Sequence, residues 1–205
     1  IRKVLVYLLS TVTDALLLIG GALVTGLTLP LNALQILWVN FFSDSFPAVA
    51  FAFEKNIDGF SALPRGIKIG LFDPLMKFLI LFIGFSTSAL LFGLYWLLLR
   101  TGFPEEIVRT FIFASFGSYT LFLAFSVRSL EKSIFEYPIF SNRYLVVGAS
   151  IGIVLMGAAI YIPFLQSLFG TVSLPLSWLF GVVLIGVLNI AAIEFGKWIF
   201  RRRRL

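Results

Sequence analysis

"LWVNFFSDSFPAV", residues 37–49, decides how this chain is read, because it sets an asparagine, two serines, an aspartate and a proline inside an apolar run. The flanking stretches are long and greasy enough to cross a bilayer. Of the 205 residues, 60% are hydrophobic and 13% charged, and the mean hydropathy is +1.02, far from the balance of a soluble domain. A spanning helix needs roughly 20 apolar residues. Six such stretches are expected, at about Val4–Thr25, Leu34–Phe53, Leu75–Leu99, Thr110–Val127, Tyr144–Phe164 and Leu176–Phe195. They predict an all-α, polytopic six-helix membrane bundle forming a single domain over 1–205. The runs are continuous and do not alternate, which excludes a β-barrel.

Charge supplies an orientation. With six spans the termini share a side. That side carries Arg2, Lys3, Lys55, Arg65, Lys68, Lys77, Arg128, Lys132, Arg143, Lys197 and the run Arg201–Arg204, against Arg100 and Arg109 opposite. The positive-inside rule then places both ends in the cytoplasm. The net charge of +6 reads as topology and contact with anionic lipid, not as a nucleic-acid footprint. The absence of cysteine and histidine removes the soft ligands that zinc or copper would want, and leaves hard cations open. The first apolar run is too long for a secretory signal, and no small-residue cleavage site follows it.

Intramembrane ionisable groups cost at least about 2.5 kcal/mol at mid-bilayer on insertion scales, so each is a functional candidate. Asp14 and Asp44 lie well inside expected spans, whereas Glu194 is nearer an edge with Lys197 at i+3, a spacing suited to pairing. Asn40, Ser43, Asp44 and Pro47 share roughly one face of a regular helix. Pro47 cannot donate to the carbonyl of Ser43 and its ring presses on it, so a kinked or unwound segment is expected near Ser43–Phe46. Freed carbonyls beside side-chain oxygens make a cation site where broken membrane helices line a cavity. A kinked helix with a neutral Asp44 and bonded Asn40 and Ser43 is the alternative from the residues alone.

The same residues carry a resemblance. "LQILWVNFFSDSFPAVAFAFE", followed by "ALPRG", resembles the sixth membrane helix and next loop of P-type cation-transporting ATPases of the calcium-pump and sodium-pump group, whose pattern is close to LWVNLVTDGLPA. "IRKVLVYLLS", "RSLEKSIF", "FSNRYL", "YIPFLQSLF" and "IEFGKWIFRRR" follow in family order, so the likeness covers essentially the whole chain as helices five to ten. The resemblance implies that Asn40, Ser43 and Asp44 are cation ligands, with Ser43 in place of the usual threonine. It also marks losses. Against the pattern YLISSNVGE begun at Tyr7, the liganding asparagine and glutamate positions are Val12 and Ala15, and the eighth-helix ligand position falls on Thr120. Thr11 and Asp14 keep an i, i+3 polar spacing beside those gaps, so Asp14, Thr11 and Thr120 form a weaker second set. Fewer carboxylates favour one calcium, a monovalent ion or a proton over two divalent ions.

Motifs of the family's phosphorylation (DKTGT), dephosphorylation (TGES) and nucleotide-binding domains, and the fourth helix's PEGL break, are not in these 205 residues. The expectation is an ion-binding membrane portion unable to hydrolyse ATP by itself, with no cofactor of its own. Its cargo would be a calcium or monovalent cation, and ATP and magnesium would be handled elsewhere. Its partners would be the bilayer, the N-terminal membrane helices and the cytoplasmic domains, in the same or a second chain. Two other readings stay open: a free-standing membrane partner or assembly protein without transport, and a proton-coupled carrier, which the lack of an internal repeat disfavours.

Overall fold

In a computed structural model, residues 2–54 and 74–202 are described, with the side chains of Ser43 and Asp44 outside that description. The expected loop charges Lys55, Arg65 and Lys68, and the Arg203–Arg204 end of the basic run, also lie outside it. The described residues build an all-helical bundle. Its elements are α1 (Arg2–Val24), α2 (Ala33–Val39), a π-helical turn (Asn40–Asp44), α3 (Ser45–Ala52), α4 (Pro74–Arg100), α5 (Glu105–Ser126), a 3-10 turn (Ile134–Glu136), α6 (Arg143–Tyr161), α7 (Pro163–Phe169) and α8 (Leu176–Arg202). Among the described residues α1, α4, α5, α6 and α8 are each long and apolar enough to cross a membrane, and the chain is an integral, multi-pass membrane protein.

The second expected span is divided. α2 and α3 are each too short to cross alone, and the π turn joins them into a helical run from residue 33 to residue 52. The chain near Pro47 therefore widens its winding without leaving the helix: Pro47 sits inside α3, and the wide turn ends three residues before it. Other boundaries move for local reasons. α6 stops at Tyr161 because Pro163 cannot continue it, and α7 restarts with that proline in its first turn. α5 begins at Glu105, where Glu105 and Glu106 face the positive end of the helix dipole. α8 runs on to Arg202, its basic last turn suiting the opposite pole.

α5 is the central helix, packed against α8, α6, α4 and the π turn, and its residues from Thr110 to Leu121 are nearly all buried. α1 lies along α4 so closely that a Cβ on Gly84 would come within 2.9 Å of Thr13 Cβ. Polar pairs tie the apolar helices together. Thr87 of α4 donates to Asn189 of α8 at 2.5 Å. Near the end of α8 the buried Lys197 reaches Glu194 at 2.9 Å and the Ser126 carbonyl at 2.7 Å, while Ser126 donates to Glu194 at 2.6 Å. Glu194 and Lys197 are thus the structural pair that their spacing predicts.

Candidate cation site

The run that raised the question begins with a capping box. Asn32 accepts from Gln35 N at 2.8 Å while its own N–H donates to Gln35 Oε1 at 2.9 Å. Both side chains also hold the Phe169 carbonyl, through Asn32 Nδ2 at 2.8 Å and Gln35 Nε2 at 3.1 Å. α2 is therefore pinned to the end of α7 before its winding changes.

The π turn is shaped by what it packs against. Phe42 is fully buried between α5 and α6, where a Cβ on Gly152 would lie 3.2 Å from its ring and one on Gly117 would lie 3.3 Å from Val39 and 2.1 Å from Met156. These two glycines let the wide turn approach both helices. Asn40 and Phe41 lie on the turn's exposed side, and the Ser45 hydroxyl donates to the Asn40 carbonyl five residues back at 3.4 Å. A π turn spaces its hydrogen bonds i to i+5 and is a frequent feature of functional sites. Asn40, Ser43 and Asp44 all belong to this turn, so one wide turn carries all three expected ligands.

The second set divides. Asp14 is completely buried and accepts a short hydrogen bond from the Tyr119 hydroxyl of α5. Its other oxygen, Oδ1, has no hydrogen-bond partner, nor have the buried hydroxyls of Ser10, one turn earlier on α1, and Ser115, one turn earlier on α5. Thr11 donates to the Leu8 carbonyl at 3.0 Å and Thr120 to the Gly117 carbonyl at 2.8 Å, each on its own helix. Tyr7 crosses the same seam to the Thr120 carbonyl at 3.2 Å. Asp14 is thus held by α5, whereas the two threonine hydroxyls are committed to backbone. Among the described residues no three acidic, histidine or cysteine side chains gather at one point.

Sequence reasoning missed Tyr119, whose only signal is its place beside Thr120. It also missed Arg128, which the charge count treated as a loop cation and which is 1% exposed, paired with Glu54 across 74 positions. Outside the spans, the Glu136 carboxyl sits below the usual range, chiefly because Arg201 donates to it at 3.0 Å.

Residues 28–199 match the family model described as "Cation transporting ATPase, C-terminus". The chain belongs to that family. It is a C-terminal membrane domain of a P-type cation-transporting ATPase, and it is similar to calcium-transporting ATPases over most of its length. It is 32% identical to Calcium-transporting ATPase 1 of Yarrowia lipolytica over 90% of this chain and 20% of that one. Against Calcium-transporting ATPase 1 of Bacillus cereus the identity is 32%, over 96% of this chain and 24% of that protein. Against human calcium-transporting ATPase type 2C member 1 it is 36%, over 86% and 19%. The chain thus spans a fifth to a quarter of the length of these relatives.

Proposed function

We propose that this chain is the ion-binding membrane portion of a P-type pump for calcium or another hard cation, with Asn40, Ser43 and Asp44 as its ligands. The reading is carried by the coincidence of all three residues with the π turn. Such a turn leaves carbonyls without their usual i+4 partners, and hard cations take oxygen from carboxylate, amide and carbonyl groups together. Its relatives are calcium-transporting ATPases, which favours calcium as cargo. Asp14, turned toward Tyr119, is a secondary oxygen at the α1–α5 seam, and Thr11 and Thr120 contribute least because their hydroxyls are engaged. With apolar residues at positions 12 and 15, one divalent ion or a monovalent ion is favoured over two divalent ions.

ATP hydrolysis belongs to phosphorylation and nucleotide-binding domains beyond these 205 residues. Phosphorylation there would shift the helices and expose the π turn alternately to the two sides, with both ends of this chain on the cytoplasmic side. The exposed face bearing Asn40 would be closed by the pump's N-terminal membrane helices.

Replacement of Asp44 by Asn in the complete pump is expected to abolish calcium-stimulated phosphorylation by ATP while membrane insertion is kept. Unchanged calcium dependence in that variant refutes the assignment. Ala15→Glu, which adds a carboxylate to α1, is expected to raise affinity for divalent ions in the same assay.

A further inference from the structure

The helical run from residue 33 to residue 52 is fastened at both ends by hydrogen bonds from buried and half-buried side chains. At its start Asn32 and Gln35 grip the Phe169 carbonyl. At its finish Arg128, just past α5, meets both carboxylate oxygens of Glu54 as a fork, Nε to Oε2 at 2.9 Å and Nη2 to Oε1 at 2.8 Å. The same guanidinium donates to the carbonyls of Pro138, at 2.9 Å, and Ile139, and to Ser141 Oγ at 2.7 Å. Asn142 completes the joint. Its Nδ2 donates to Glu54 Oε2 at 2.9 Å and to the Ala50 carbonyl of α3 at 3.0 Å, while its Oδ1 caps α6 by accepting from Leu145 N at 3.1 Å. Glu54 therefore receives three charged or amide donors from two other parts of the bundle.

A buried ion pair is weak evidence for stability, because apolar replacements often serve as well, and its best-attested use is to fix register. Register is what a π turn puts at risk. Each residue of helix turns the chain by about 100°, so relaxing the wide turn or moving it one position would swing every following side chain to another face. Ends that are free could absorb that rotation; ends held by directional hydrogen bonds cannot. Bidentate arginine–carboxylate geometry supplies the direction as well as the attraction.

We propose that Arg128 is a positioning residue for the cation ligands, acting through Glu54 to fix the rotational phase of α3 and the π turn and so the facing of Asn40, Ser43 and Asp44. This rests on the reading of those three residues as the ion site. The role is indirect: Arg128 aims the ligands and coordinates nothing.

The experiment uses the complete pump with calcium as the probe and reads two quantities, the calcium concentration for half-maximal phosphorylation by ATP and the maximal phosphoenzyme level. Arg128→Met and Glu54→Gln are each expected to raise the half-maximal concentration about tenfold or more with the maximum kept. The double variant is expected to do no worse than the poorer single. Arg128→Lys, charged but without the fork, should recover only part of the shift. Asn142→Ser retains the cap on α6 but lacks the amide donor, and a smaller shift in the same direction is expected. It decides the matter should the arginine variants fail to insert. Unchanged half-maximal concentrations, a loss confined to the maximum, or additive effects in the double variant overturn the proposal. Asp44→Asn is measured alongside. If that variant keeps calcium dependence, the ion-site reading fails and the positioning role falls with it; if it loses calcium dependence while Arg128→Met and Asn142→Ser do not shift, only the positioning role fails.

Discussion

Replacing Tyr119 by Phe removes one oxygen and tests the α1–α5 seam directly. In the folded bundle that hydroxyl donates to Asp14 Oδ2, while Oδ1 has no partner and the residue is fully buried. Taking the donor away leaves a buried carboxyl group without its hydrogen bond, which costs about 1–3 kcal/mol in protein interiors. Side-chain hydrogen bonds between membrane helices average nearer 0.6 and reach about 1.7 kcal/mol. Because the acceptor is an acid with little else to bind, the upper part of that range applies, and Tyr119→Phe is expected to destabilise the chain by about 1–1.7 kcal/mol. Asp14→Leu removes the acceptor at similar volume, and the double variant replaces both partners with apolar groups, which is close to neutral when shapes are kept. Unfolding in mixed detergent micelles should therefore find Asp14→Leu/Tyr119→Phe more stable than Tyr119→Phe alone, with a coupling of about 1 kcal/mol or more. Effects that simply add, within about 0.3–0.5 kcal/mol as for distant sites, would refute the bond as an energetic link between α1 and α5.

Three further outcomes follow from the packing. Lys197→Met strips Glu194 of its buried cation and should cost about 3–5 kcal/mol in the same unfolding assay, whereas Lys197→Met/Glu194→Leu should recover most of it. Gly117→Val drives a branched side chain toward Met156 and Val39; it should destabilise the chain by about 1–3 kcal/mol and, in the complete pump, raise the calcium needed for phosphorylation, while Gly93→Ala, which meets nothing within 4 Å, should leave both unchanged. Glu136 has a depressed pKa, so what its contact with Arg201 contributes is present above the ordinary glutamate pKa of about 4.3 and is lost as pH falls through the lowered folded value. The pair is exposed, so Glu136→Gln should cost less than about 1 kcal/mol at pH 7 and nothing at pH 2.

The membrane bundle was legible because long apolar runs have few other uses, and the ion-site candidate because a polar cluster in such a run needs a reason. Glu194 and Lys197 could be paired on paper since i, i+3 is a local spacing. The form of the distortion before Pro47 could not. Proline announces a lost hydrogen bond, but whether a helix answers by kinking, unwinding or widening depends on partners distant in sequence, here the grooves at Gly117 and Gly152 that receive Phe42. Arg128–Glu54, Asp14–Tyr119 and Thr87–Asn189 join residues 74, 105 and 102 positions apart, and no periodicity within one helix reports such pairings.

The closeness of α1 to α4 has a mechanical side. With no side chain on Gly84, Thr13 sits almost against the opposite backbone, and the two rods interlock like gear teeth along their length. A force along the axis of α1 would consequently carry α4 with it, so that the pair works as one piston. Slippage would fall on the sparser seam toward α5, where the Asp14–Tyr119 contact would act as the latch that has to give.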